Sequence, residues 1–166
     1  MVLQTQKISG PLKILLVEDN LGDATLAFVA FKDFKTPVNL IRVKDGEDAI
    51  TYLKKEREYV DVCTPDLILL DLNMPKKSGL EVLEEIKSDP QLKEIPVIVL
   101  TSSKSDLDIR KAYEAKADFF ITKPSDFPGF CEAMRYVEEF WLSTLKHQDS
   151  PEKKGLLKGA GIEQSN

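Results

Sequence analysis

The sequence has little of several features that mark particular classes of protein. Its 166 residues include two cysteines, Cys63 and Cys131, which are too few and too far apart for a disulfide framework or a zinc site. The single histidine, His147, stands near the end of a predicted helix, and we assign it no catalytic role. No apolar run approaches the roughly 18 residues needed to span a bilayer, and residues 1–12 lack the apolar segment of a secretory signal. We therefore expect a cytoplasmic protein with no membrane segment.

The sequence also lacks the signatures of nucleotide and nucleic-acid binding. It has neither a Gly-x-x-x-x-Gly-Lys loop nor a Gly-x-Gly-x-x-Gly turn. The formal net charge is −5 and the sequence pI is about 5.0, which argues against a nucleic-acid surface. Residues 147–166, which follow the last predicted helix, are too few for a helix-turn-helix domain. We expect no nucleic-acid partner.

What the sequence does contain is a series of five short apolar runs, each followed by an amphipathic segment. The runs are residues 13–17, 38–43, 66–70, 96–100 and 118–122. Two of them, 66–70 and 96–100, are apolar almost without interruption, which is typical of central parallel strands covered on both faces. The pattern therefore predicts a parallel sheet with its core on two sides.

Helical patterns fill the intervals between these strands. Helices are predicted at residues 45–56, 79–87, 105–116 and 128–146, and a further one, capped by Asn20, is expected to bury Ala24, Ala27, Phe28, Phe31 and Phe34. The last helix has a predicted core stripe of Phe130, Ala133, Met134, Val137 and Trp141. Strand and helix alternate five times, which predicts an α/β fold, a five-stranded parallel sheet with helices on both faces. We place the domain at residues 12–146, with an N-terminal extension at 1–11 and a mobile C-terminal tail at 147–166.

Reactive side chains follow four of the predicted strands. Ligands of an open parallel sheet gather beyond the carboxyl ends of its strands. Glu18 and Asp19 follow the first strand, Asp71 the third, Thr101 the fourth and Lys123 the fifth. Each residue type alone is common at a strand end, but three carboxylates, a hydroxyl and an ammonium at one edge indicate a site.

Phosphoryl transfer is the chemistry that this set of groups suits best. Crowded carboxylates repel one another unless a cation intervenes, and oxygen ligands of this kind suit Mg²⁺. Asp71 could act as a carboxylate nucleophile toward phosphorus. Lys123 and Thr101 could bind the incoming phosphoryl oxygens.

Four blocks of sequence resemble the receiver domain of two-component response regulators. They are LLVEDN at residues 15–20, LLDLNMP at 69–75 together with Gly79, VLTS at 99–102 and ITKP at 121–124. The order and spacing of the four blocks are specific to that family, whereas any one block is not. The run from Glu18 to Asp23, extra residues at 54–65, and Phe-Trp-Leu at 140–142 are similar to cyanobacterial phytochrome-associated single-domain regulators.

The resemblance implies a fold and a metal site. The fold would be the flavodoxin-like, doubly wound (βα)5 architecture with strand order 2-1-3-4-5. Asp71 would accept a phosphoryl group from a phosphohistidine on a sensor histidine kinase, and a phytochrome would be that kinase. Mg²⁺ would be bound directly by Asp19 and Asp71, through the backbone carbonyl of Asn73, and through water by Glu18.

The resemblance also implies which residues would bind the phosphoryl group and respond to it. Thr101 and Lys123 would bind its oxygens, and the Lys123–Pro124 peptide bond would be cis. Phe120 matches the aromatic switch position, where tyrosine is frequent. Asn73 and Ser103 match positions that tune the lifetime of the acyl phosphate. Such a protein is a signal transducer, not an enzyme with an external substrate.

Two other functions share part of this pattern. A phosphatase of the haloacid dehalogenase type also uses an aspartate after a parallel strand, but it needs a second aspartate two residues later as general acid, and that residue here is Asn73. A pseudo-receiver, an adaptor that never carries phosphate, would not need the complete set of site residues.

The last helix predicts self-association. Tyr136, Phe140 and Leu142 lie off its predicted core stripe, so a monomer would leave three large apolar side chains exposed. We expect a homodimer through this helix.

Overall fold

The structure is a computed structural model that describes residues 10–147. Residues 148–166 of the predicted C-terminal tail and residues 1–9 of the N-terminal extension therefore lie outside the described residues, and His147 belongs to the last helix rather than to a tail. Five strands form one sheet in the order β2-β1-β3-β4-β5, and every neighbouring pair is parallel. The strands are β1 (Leu12–Val17), β2 (Val38–Val43), β3 (Leu67–Leu70), β4 (Val97–Thr101) and β5 (Phe119–Thr122). The predicted fold class and strand order are confirmed.

Five α-helices alternate with the strands and cover both faces of the sheet. They are α1 (Leu21–Phe31), α2 (Gly46–Leu53), α3 (Gly79–Ser88), α4 (Asp106–Glu114) and α5 (Phe127–His147). One core cluster joins Leu15 and Val17 of the sheet to α2, α3 and α4. A second joins Ile14 and Leu16 to α1 and α5, as the alternation of side chains along a strand requires. No helix among the described residues is both long and apolar enough to cross a membrane.

Hydrogen-bonded caps fix where the helices begin after the strands. Asn20, Asp45, Ser78 and Ser105 each accept a hydrogen bond from the backbone N–H three residues later. Such side chains satisfy donors that the first helical turn leaves free. Helices α1 to α4 therefore start at fixed positions near the carboxyl edge of the sheet, and the loops that carry the candidate site are short.

Helix α5 buries the predicted core stripe except at its last position, since Phe130, Ala133, Met134 and Val137 are buried. Phe140, which we expected to be exposed, is 7% exposed, and its ring stacks on Phe119 at 5.9 Å between centroids. Trp141, predicted to be buried, is only partly so. Both residues lie about one helical turn after Val137. The contact with Phe119 on β5 places Phe140, and not Trp141, in the core. Tyr136 and Leu142 remain exposed, at 43% and 40%.

Two further details of the helices differ from the predictions. In α1, Phe28 is exposed and Ala30 is buried, while Phe34 follows the end of the helix and packs edge-on against Phe31. Helix α2 ends at Leu53, three residues early, because the chain turns through left-handed backbone at Lys55. A short 3-10 helix, Arg57–Tyr59, follows.

Candidate functional site

The predicted site residues lie together at the carboxyl edge of the sheet. Glu18 and Asp19 follow β1, Asp71 follows β3, Thr101 ends β4 and Lys123 follows β5. Glu18, Asp71 and Thr101 are buried, at 2%, 7% and 0% exposed, whereas Asp19 is exposed. Buried carboxylates need a compensating partner, because desolvation disfavours their charged form.

Lys123 supplies that partner. Its ammonium nitrogen lies 2.5 Å from Glu18 Oε2, 2.9 Å from Asp23 Oδ2 and 3.3 Å from Asp71 Oδ2. The Lys123 side chain is 8% exposed, so these charge-assisted bonds form largely out of water. One positive charge thus faces three carboxylates, and the cluster keeps an excess of negative charge.

The pKa values of Glu18 and Lys123 reflect this crowding. Burial raises the pKa of Glu18 to about 7; the bond from Lys123 opposes this effect, and the charge of Asp71 adds to it. Burial would lower the pKa of Lys123, but hydrogen bonds to Glu18 and Asp23 and the charge of Asp71 outweigh it and hold the pKa above its usual value. Lys123 is therefore fully charged at neutral pH, while Glu18 is poised to exchange a proton.

Three carboxylates of this cluster could hold a divalent metal. One oxygen each from Glu18, Asp19 and Asp71 lies within 4.8 Å of the others. An all-oxygen donor set with excess negative charge suits a hard cation such as Mg²⁺ or Mn²⁺. The residues present thus fit a divalent metal ion.

Close packing holds Asp71 in place. The backbone N–H of Gly79 donates to the carbonyl of Leu72 at 3.0 Å. A Cβ at Gly79 would lie 2.1 Å from the Asp71 carbonyl oxygen, so only glycine allows α3 to start this close to the strand end. The backbone N–H of Asn73 donates to Asp71 Oδ1 at 3.2 Å and orients the carboxylate.

A hydrogen-bonded chain links the site to α4. Asn73 Nδ2 donates to Thr101 Oγ1 at 3.3 Å, and the backbone N–H of Ser103 donates to the same oxygen. The Ser103 hydroxyl donates to Asp108 Oδ2 at 2.6 Å, on the first turn of α4. A change at Thr101 can therefore reach α4 through few contacts.

The structure differs from one expectation at this edge. The Lys123–Pro124 bond is trans, since no cis peptide bond occurs among residues 10–147; this contradicts the predicted cis bond, and trans is the ordinary preference of such bonds. Phe120 is buried on the α4 side of the sheet, with its ring 6.5 Å from that of Tyr113.

Two residues at the site were not singled out for it from the sequence. Asp23, on the first turn of α1, binds Lys123. Arg42, near the end of β2, donates from Nε to the Glu18 carbonyl at 2.9 Å and from Nη2 to the Asp19 carbonyl at 3.0 Å. The sequence feature that could have identified both residues is their position, because each stands close to a strand end at the carboxyl edge of the sheet.

Comparison with known proteins decides the family. The profile of the response regulator receiver domain matches residues 14–135. This chain belongs to that family. The same finding decides against the phosphatase alternative.

Several relatives are similar over most of the chain. Response regulator Rcp1 of Synechocystis sp. is 42% identical over 135 residues, which cover 81% of this chain and 92% of Rcp1. The crystal structure of the phosphorylated cyanobacterial phytochrome response regulator RcpA has a TM-score of 0.77 and 47% identity, covering 81% of this chain and 96% of RcpA. The Mn²⁺-bound form of Rcp1 has a TM-score of 0.76 over the same shares.

Proposed function

We propose that this receiver accepts a phosphoryl group on Asp71 from the phosphohistidine of a sensor histidine kinase. A carboxylate oxygen of Asp71 attacks phosphorus, the P–N bond to histidine breaks, and the histidine nitrogen keeps the electron pair. The observation that carries the proposal is the position of Asp71, buried at a strand end 3.3 Å from the Lys123 ammonium.

The remaining site residues supply charge. Glu18, Asp19 and Asp71 would hold Mg²⁺ together with the Asn73 carbonyl, and the bound metal would neutralise charge on the transferring phosphoryl group. Lys123 binds a phosphoryl oxygen as a point charge. The protein promotes its own phosphorylation and dephosphorylation and has no external substrate.

The signal leaves the site through Thr101. Its hydroxyl turns to donate to the phosphoryl group, which breaks the present contacts with Asn73 and Ser103. The packing of Phe120 against Tyr113 then changes, and α4 is biased toward a second arrangement.

The kinase partner is a phytochrome, and this protein acts in the cytoplasm. Support comes from RcpA, a cyanobacterial phytochrome response regulator, at 47% identity over 96% of its chain. The net charge of −5 supports a protein partner over a nucleic acid.

Self-association through α5 is the second part of this proposal. Tyr136 and Leu142 on α5 and Leu107 on α4 are 43%, 40% and 53% exposed, whereas Phe140 is buried and takes no part. Sedimentation should show a dimer for the wild type and a monomer for Leu142→Glu. Val60→Glu, at another exposed apolar residue, is the control and should stay dimeric. A wild type that is monomeric at high micromolar concentration contradicts the dimer.

Acetyl phosphate with Mg²⁺ tests the phosphoryl acceptor. Intact mass spectrometry should show one added phosphoryl group on the wild type and none on Asp71→Asn. The control Asp118→Asn removes an acid at the opposite edge of the sheet and should be labelled like the wild type. An unlabelled wild type would indicate a pseudo-receiver, and a labelled Asp71→Asn would place the acceptor elsewhere.

A further inference from the structure

We propose that Asp23 is a positioning residue that holds Lys123 back from an incoming phosphoryl group and thereby slows phosphorylation of Asp71. This inference rests on the proposed function. It assigns to Asp23, on the first turn of α1, control over how readily the site is phosphorylated.

The ammonium of Lys123 has no spare hydrogen-bond donor. A lysine ammonium has three N–H groups, and here Glu18, Asp23 and Asp71 each accept a bond. A phosphoryl oxygen can bind Lys123 only after one of these carboxylates gives up its bond.

The exposed fractions of the three side chains identify Asp23 as the carboxylate that most readily gives up its bond to Lys123. The side chains of Glu18 and Asp71 are 3% and 9% exposed, so loss of the bond to Lys123 would leave a buried carboxylate without its counter-charge. Glu18 is also held by the backbone N–H of Asn20 at 3.1 Å. The Asp23 side chain is 38% exposed, and water can replace Lys123 as its partner at little cost.

Asp23 also lines a cavity next to Lys123. This cavity of about 610 Å³ is lined by Asp23 and Lys123 together with Ser102 and Lys104. The Asp23 carboxylate lies 2.9 Å from the ammonium that a phosphoryl oxygen has to bind. Because a phosphoryl donor is an anion, that negative charge opposes its approach as well as occupying Lys123.

Asp23→Asn tests this role, because the amide keeps the shape of the side chain and removes the charge. The rate constant for labelling by subsaturating acetyl phosphate with Mg²⁺ should rise about two- to five-fold, the size expected for a partly exposed ion pair. The affinity for beryllofluoride, a stable phosphoryl mimic, measured by ¹⁹F NMR, should rise by a similar factor. Asp23→Glu should restore values near those of the wild type.

The control is Asp33→Asn, which removes the same charge just beyond the other end of α1 from an exposed side chain. It should leave both values unchanged. A purely structural role for Asp23 would lower the melting temperature and slow labelling without tightening beryllofluoride binding. An Asp23→Asn protein no faster than Asp33→Asn overturns the inference while wild-type labelling still supports the proposed function. A wild type that is not labelled overturns both.

Discussion

Two lysines at opposite edges of the sheet are both nearly buried, yet their surroundings differ. Lys87, 10% exposed, binds one carboxylate, Asp118, and the carbonyl oxygens of Lys93 and Ile95. Lys123, 8% exposed, binds three carboxylates. The Lys87 cluster pairs one carboxylate with one ammonium, whereas the Lys123 cluster places three carboxylates around one ammonium and keeps an excess of negative charge.

The difference separates structural support from a site for chemistry. Asp118 also accepts the backbone N–H of Val97, so the Lys87 cluster ties the start of β4 to α3 and β5. All its groups have partners and need no ligand. The excess negative charge around Lys123 lowers stability unless a cation binds, which is the arrangement expected of a site that recruits a metal ion.

Phosphorylation should show the largest contrast between the two lysines. Lys123→Met should slow labelling by acetyl phosphate about 100-fold or more, because it removes a donor to the phosphoryl oxygens. Lys87→Met, assayed at a temperature where it is folded, should label at the wild-type rate. Intact mass spectrometry follows the labelling. An equal loss of labelling rate in the two variants would contradict the proposed difference between the two lysines.

Unfolding by urea should separate the clusters in a second way. Lys87→Met should lose about 1–3 kcal/mol of unfolding free energy, because Asp118 and two carbonyls lose their donor, and Mg²⁺ should not restore it. Lys123→Met should also be destabilised without metal, but Mg²⁺ should restore much of the loss by neutralising the same carboxylates. Mg²⁺ that stabilises both variants equally would contradict this account.

The pH dependence of Mg²⁺ affinity should follow Glu18. Because its pKa is raised to about 7, Glu18 is mostly protonated at pH 6 and mostly ionised at pH 8. Mg²⁺ prefers the ionised cluster, so the affinity measured by calorimetry should weaken about tenfold from pH 8 to pH 6. Glu18→Gln should abolish this dependence. Asp19→Asn should weaken binding at both pH values yet keep the dependence.

Arg42 should give the smallest effect. Arg42→Lys should weaken Mg²⁺ binding about two- to five-fold, because a compact ammonium on a flexible stem does not reproduce the rigid planar fork with which Nε and Nη2 hold the two loop carbonyls. Arg135→Lys, at an exposed position of α5, is the matched control and should bind Mg²⁺ like the wild type. If Arg42→Lys also matches the wild type, Arg42 does not position the metal-binding loop.

The sequence was sufficient to predict the fold and the place of the site. Continuous apolar runs and helical periodicity predict the sheet, and strand ends bring Glu18, Asp71 and Lys123 to one edge. It was insufficient where two neighbouring residues fit one pattern equally. Phe140 and Trp141 both follow the helical period, and only the tertiary contact with Phe119 decides between them.

The sequence also could not predict which side chains bind one another in the folded protein. Asp23 stands three residues after the cap Asn20, and acidic residues are favoured at the start of a helix whether or not they have another role. That Asp23 binds Lys123, 100 residues later, depends on how α1 and β5 are placed in space. Sequence position could not separate these two roles.

The most direct test of the central claim is where the phosphoryl group attaches. Wild-type protein should be labelled with acetyl phosphate and Mg²⁺, reduced with borohydride and digested, because reduction converts an aspartyl phosphate to homoserine. Peptide mass spectrometry should find homoserine at residue 71 alone. Homoserine at residue 19 or 23 with an intact Asp71, or no homoserine in a protein that carries phosphate, would contradict the account.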